Sequence, residues 1–234
     1  MKRILKILGI GLGALLLLGV LYGVAVNESL PEGTSGPDAD ALANKMLTAM
    51  NHEAYKNTRF LEWSYRSGKN RYKWDKTMGK CTVSWGDYEV LLNLVRPEKS
   101  NALKNGQSLI GIEKSEVVKK AQTIFDNDSF WLVAPYKVFD KGTTRSIVAL
   151  KDGTQGLLVT YSSGGTTPGD SYLWKLNPNG FPSSYQMWVK ILPIGGLEAS
   201  WDDWMVVKSG AFLPKSHKLG PIELSLGTVK GYNE

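Results

Sequence analysis

The chain has 234 residues, 28 basic and 22 acidic side chains, a net charge of +6 and one cysteine. A single Cys forms no internal disulfide, so the fold rests on its core whatever compartment it occupies. Lys2, Arg3 and Lys6 carry half of the net charge, and the remaining 25 basic against 22 acidic residues include no long basic run, which leaves nucleic-acid binding without support.

Residues 7–26 form an uncharged run of 20, enough to span a hydrocarbon core as a helix. The bases before it predict a cytoplasmic N-terminus, with residues 27–234 on the periplasmic or extracellular side of a single-pass membrane protein. Five glycines (Gly9, Gly11, Gly13, Gly19, Gly23) and the small Ala25 leave a second expectation open, a signal segment that is cleaved before the chain is secreted. Lipid anchoring needs a Cys just after the run, and the only one is Cys81. Residues 27–37, rich in Pro, Gly, Ser and acids, read as a linker to one domain over 38–234.

Asp38 stands where a helix cap is expected, and Leu42, Met46, Ala49 and Met50 recur at helical spacing to about residue 51. From 59 to 94 the period falls to two. Leu61, Trp63 and Tyr65 alternate with polar neighbours, as do Tyr72 with Trp74, Val83 with Trp85, and Val90, Leu92 and Leu94. The turn segments SGKN, DKTMGK and GD between them predict four strands joined as hairpins. Trp63, Trp74 and Trp85 fall 11 apart, close to one strand plus one turn.

A second helix is predicted from Ser115 to about Asp126 and Asn127, with Val117, Val118, Ala121, Ile124 and Phe125 on one face. Further strands are expected at 131–133, 146–150, 156–161, 171–176, 185–192, 197–207 and 222–229. The fold class that follows is α+β: a large curved antiparallel sheet of about eleven strands, an incomplete barrel, covered by two helices.

Motifs for chemistry are nearly absent, with no GxSxG, P-loop, dinucleotide fingerprint or HExxH. Cys81 alternates with Val83 and Trp85 and reads as a buried thiol. His52 and His217 lack partners at zinc spacing. Asp202 and Asp203, between Trp201 and Trp204, point to opposite faces of a strand and make a poor acid/base pair. Gly164, Gly165 and Gly169 read as a hairpin loop rather than an anion nest. No metal, cofactor or catalytic residue is expected.

Aromatic excess is the clearest departure from an ordinary domain, because all eight Trp follow the linker. Trp63, Tyr65, Tyr72, Trp74, Trp85, Tyr172 and Trp174 occupy like positions of alternating strands, and with Trp131 they are the candidate lining of a hydrophobic cavity. The competing expectation is that they fill a solid core.

The order of elements resembles the periplasmic lipoprotein-carrier (LolA/LolB-like) family. The leading helix at 39–50, the aromatic meander at 60–94 and the stretch NDSFWLVAPYKVFDKG at 127–142 carry the resemblance. It implies a strongly bent antiparallel sheet, helices that plug an apolar cavity, acyl chains as cargo and a cavity arginine, for which Arg59, Arg66 and Arg71 are the nearest candidates. The expected function is a membrane-tethered, non-catalytic module of the cell envelope that binds a lipid or the acyl chains of a lipoprotein. The rival expectations are an exported hydrolase using a carboxylate among Asp170, Asp202 and Asp203, and a structural or assembly protein.

Overall fold

The computed structural model describes residues 27–163 and 168–234, so the expected span at 7–26 and the glycines Gly164 and Gly165 lie outside the described residues. Among the described residues no helix is long and apolar enough to cross a membrane.

Strand β1 (Thr34–Ser35) precedes helix α1 (Pro37–Ala49). Pro37 occupies the first turn, where its missing N–H leaves no hydrogen bond unmade. Asp38 and Asp40 lie inside that turn, where carboxylates suit the positive end of the helix dipole. Asp38 is therefore not the cap that the sequence suggested. The stripe Ala39, Ala43, Met46 and Leu47 is buried, and Asp40 accepts from Arg145 at 2.5 Å to hold the helix on the sheet. Asn51 turns left-handed at φ 52° before the short α2 (His52–Asn57).

The four predicted hairpin strands are present as β2 (Phe60–Tyr65), β3 (Asn70–Asp75), β4 (Lys80–Trp85) and β5 (Tyr88–Asn93), continued by β6 (Asn101–Lys104) and β7 (Gln107–Ser108). Gly86, at φ 51°, and Asp87 close the turn between the paired Trp85 and Tyr88, a tight hairpin that favours glycine. Trp63 lies opposite Tyr72, Trp74 opposite Leu61 and Cys81, and Trp85 opposite Asn70 and Tyr88. The three tryptophans share one face but occupy successive rows, because hairpin pairing runs sequence positions in opposite directions on neighbouring strands.

Helix α3 (Gly111–Val133) is longer than predicted. Its buried stripe of Val117, Val118, Ala121, Phe125, Asp128, Ser129 and Leu132 keeps helical spacing through the polar Asp126 and Asn127 that suggested an end. Residues 131–133 are its last turn and not a strand, and Pro135 lies in the 3₁₀ turn (Ala134–Lys137) that follows. Phe125 packs beside Trp63 and Trp74, Phe130 beside Tyr161 and Tyr172, and Trp131 beside Tyr185. The helix thus touches the inner faces of both halves of the protein.

The second half contains β8 (Thr143–Ala149), β9 (Gln155–Tyr161), β10 (Asp170–Leu176), β11 (Pro182–Trp188), β12 (Leu197–Ser200), β13 (Asp203–Val206), β14 (Phe212–Leu219) and β15 (Ile222–Ser225). With β1 they form a nine-stranded sheet in the order β1-β8-β9-β10-β11-β12-β14-β13, with β15 on β14. The expected strand at 197–207 is broken at Trp201, whose fully buried side chain turns into the core. Strand β14 was not expected, since Pro214, Lys215 and Lys218 obscure its alternation. The last strand, β16 (Lys230–Tyr232), returns to β2 and completes a seven-stranded sheet.

The two sheets meet edge to edge. Ser64 N donates to Leu226 O at 3.0 Å, Leu226 N to Lys215 O at 2.9 Å, and Ser209 N to Gly231 O at 2.9 Å. The architecture is α+β, with two large antiparallel sheets, few helices and no closed barrel. One hydrophobic core takes in the inner faces of both sheets with α1 and α3. Val148, Leu158 and Leu173 form a small second cluster with Leu150 and Trp188. Alternation puts Leu158 and Leu173 on the face opposite Leu157 and Trp174, which belong to the main core.

Candidate functional site

Alternation in β2 to β5 sends Trp63, Tyr65, Tyr72 and Trp85 inward, where all four are buried, while Trp74 is half-buried on the same face. Trp63 stacks on Tyr72 with centroids 4.4 Å apart, and Phe125 of α3 meets Trp74 edge-on at 5.3 Å. Trp85 stacks on Tyr88 at 5.3 Å, with the Lys120 ammonium 5.5 Å above its ring. On the other sheet Trp174 lies 5.0 Å from both Tyr185 and Trp201, and Tyr172 lies 5.2 Å from Tyr185. The structure thus gathers the eight predicted aromatics into one interior, with Trp131 placed there by a helix rather than by a strand.

The polar heart of this interior is Asp128, 1% exposed on α3. Its Oδ2 accepts from Asn70 Nδ2 at 2.8 Å and from the Tyr72 hydroxyl, and its Oδ1 accepts from Asn127 Nδ2 at 2.8 Å. A buried carboxylate is tolerable only when donors surround it, and these three supply that condition. Burial, reinforced by the Asp128 charge, pushes the Tyr72 phenol well above its ordinary pKa and that of Tyr65 up to about 12. Burial does the same to Tyr172 and Tyr185. Every one of these phenols is a neutral hydroxyl at physiological pH.

Several donors around them lack a protein acceptor. Trp63, Trp74, Trp85 and Trp174 have buried indole N–H groups without a hydrogen-bond partner among the described residues, and so does the hydroxyl of Tyr161. Trp201 Nε1 faces the Tyr185 hydroxyl, but the two close no hydrogen bond of good geometry. Buried polar groups in native proteins are nearly all satisfied by protein or water. Ring-edge contacts offer only a weak N–H···π substitute here. The interior therefore has spare hydrogen-bond donors and, in Gln122 Oε1, one spare acceptor.

No sequence signal pointed to Asp128, Asn70 or Gln122 as interior residues, because each is polar; only the stripe of α3, followed past residue 126, would have turned Asp128 inward. His217, read from the sequence as a surface or satisfied histidine, is the satisfied kind, on the unexpected strand β14. It is fully buried, with Nδ1 2.8 Å from Ser200 O and Nε2 2.7 Å from Trp131 O, so it joins the end of α3 to β12. Burial lowers its pKa against the pull of the two carbonyls and of Asp202 and Asp203. His52 stacks 5.9 Å from Tyr136 at the end of α1.

The candidate arginines all sit on the surface. Arg59 pairs with Asp75 at 3.0 Å and caps the Phe60 ring, while Arg66 and Arg71 are exposed at and beside the first hairpin turn. None reaches the interior, whose central charge is the opposite one, that of Asp128. Of the carboxylates of the hydrolase expectation Asp170 stands apart, whereas Asp202 and Asp203, expected on opposite faces of one strand, share a groove because the strand breaks at Trp201. Asp170 holds Lys190 N at 3.0 Å, whereas Asp203 binds Lys215 at 2.7 Å and Ser216 at 2.8 Å. Asp202 and Asp203 line a polar surface groove of about 340 Å³ with Glu223 and Lys218. A second groove of about 410 Å³ is lined by Met205, Val207, Lys208 and Tyr232. Neither groove includes the aromatic interior. Among the described residues no three His, Cys, Asp or Glu side chains come together as a metal site.

Cys81 is fully buried on β4, and burial pushes its thiol well above the ordinary range. A water-soluble maleimide is expected to label the native protein far more slowly than the urea-unfolded chain, because the thiolate is the reactive form. Equal rates by mass spectrometry would place Cys81 at the surface.

Comparison with models of protein families, with curated proteins and with solved structures finds no match to this chain.

Proposed function

We propose that the chain is a membrane-tethered, non-cytoplasmic module that binds a hydrophobic ligand, a lipid or the acyl chains of a lipoprotein, without chemistry of its own. The surplus of buried indole and phenol donors in an apolar interior carries this reading. Such donors suit an amphiphile, whose chains replace apolar contacts while its oxygens accept hydrogen bonds.

In this reading the two sheets, joined along one edge and not closed into a barrel, form an incomplete barrel of the lipoprotein-carrier kind, with α3 as its plug. Filled by its own side chains, the interior admits a ligand when α3 moves outward. Of the eight residues this helix buries two are polar, Asp128 and Ser129, and its outward movement exchanges the hydrogen bonds of Asn70 and Tyr72 to Asp128 for others to ligand or water. Residues 7–26 hold the module at the bilayer from which the ligand comes.

A fluorescent fatty-acid probe titrated into the purified chain is expected to give saturable binding, competed by unlabelled lipid. Emission that rises linearly with probe and is indifferent to competitor would sink the reading.

A further inference from the structure

The loop between β11 and β12 carries the sequence Lys190-Ile191-Leu192-Pro193-Ile194. Ile191 is 67% and Leu192 36% exposed. A turn from Leu192 N to Val189 O at 3.1 Å pushes this apolar tip outward, and Lys190 is exposed beside it.

The far side of the loop is fastened to the residues that directly follow the uncharged run at 7–26. Asn27 Oδ1 accepts from Gly195 N at 2.8 Å, and Glu28 N donates to Gly195 O at 3.0 Å. Trp188, the last residue of β11, donates its indole N–H to Glu28 O at 2.8 Å. Close approach is a condition of this joint, since a Cβ on Gly195 would lie 2.6 Å from Glu28 O.

We propose that the loop is a second membrane contact, its Ile191 and Leu192 dipping into the interface of the bilayer that residues 7–26 span. The inference rests on the tether reading. Ile191 lies four steps along the chain from Gly195, so at ~3.5 Å per residue the tip lies within about 14 Å of the joint with Asn27 and Glu28. The polar zone beyond each face of the hydrocarbon core is only ~5–7 Å deep. A tip of two apolar side chains is too small to bind a membrane alone, but a tether this short makes its insertion an intramolecular event. Lys190 then sits at the depth of the headgroup phosphates, and the indole of Trp188 near the interface that tryptophan favours.

This contact sets the orientation of the domain. Strand β11 runs from Pro182 to Trp188, so the β10–β11 turn at Asn179 lies at the opposite end of that strand from the loop and points away from the bilayer.

The test uses the full chain in phosphatidylcholine vesicles that contain nitroxide-labelled lipid. An environment-sensitive fluorophore is attached in turn at Ile191→Cys, Asn179→Cys and Leu16→Cys; buried Cys81 does not compete for the label. The proposal expects the label at 191 to be quenched by the lipid nitroxide several-fold more than the label at 179, and the label at 16 to be quenched as well. Quenching at 16 with none at 191 beyond the level at 179 overturns the loop contact and leaves the tether intact. Absence of quenching at 16 overturns the tether and the loop contact with it.

Discussion

Asp128→Ala is expected to lower the melting temperature by roughly 8–16 °C. The substitution removes a carboxylate that accepts from Asn70, Tyr72 and Asn127 in a site 1% exposed to solvent. Each hydrogen bond to a charged group is worth about 1.5–3 kcal/mol net, and each orphaned buried donor adds ~1–3 kcal/mol. Asn127 regains water in part, so a total near 4 kcal/mol is reasonable, and for a chain of this length ~1 kcal/mol corresponds to about 2–4 °C. Asp128→Asn keeps one acceptor oxygen and is expected to fall between the two. Differential scanning calorimetry of the three proteins decides the matter; an alanine variant that melts with the wild type would mean that the carboxylate does not organise the interior.

The second large effect separates core from ligand contact. Trp174→Ala leaves a hole between Tyr185 and Trp201, both 5.0 Å from its ring, and is expected to cost about 3–5 kcal/mol of stability. Trp74 is half-buried against Phe125 and Trp63, at 5.3 and 6.5 Å, so its removal opens little void. Under the proposed function Trp74→Ala weakens probe binding about tenfold, which is ~1.4 kcal/mol, while its denaturation midpoint moves far less than that of Trp174→Ala. Titration and urea denaturation on the same samples measure both. If Trp74→Ala binds the probe as the wild type does, the ligand does not meet this face.

The hairpin meander was legible because period-two alternation and the turn segments agreed over four successive strands, and Cys81 followed from that alternation alone. Two kinds of residue defeated the same reading. Polar side chains that face inward, Asp128 and Asn70, look like helix or strand ends until their partners are known, because burial of a carboxylate is decided by donors far off in sequence. Strands such as β1 and β7, of two residues each, carry no period at all. The eight aromatics were found because large side chains at alternate positions point one way, but their hydrogen-bond state was beyond a linear pattern. Division into two edge-joined sheets was also hidden, since it depends on β16 returning to β2 across about 170 residues of chain.

Native mass spectrometry of the chain purified from cells addresses the ligand most directly. The account predicts a species heavier than the polypeptide by the mass of one or more lipids, reduced to the bare chain by denaturation, with the released molecule identified as an acyl lipid after solvent extraction. A protein that arrives at its sequence mass alone, yields no lipid on extraction and binds no acyl probe would contradict the account and leave the tryptophans as a solid core.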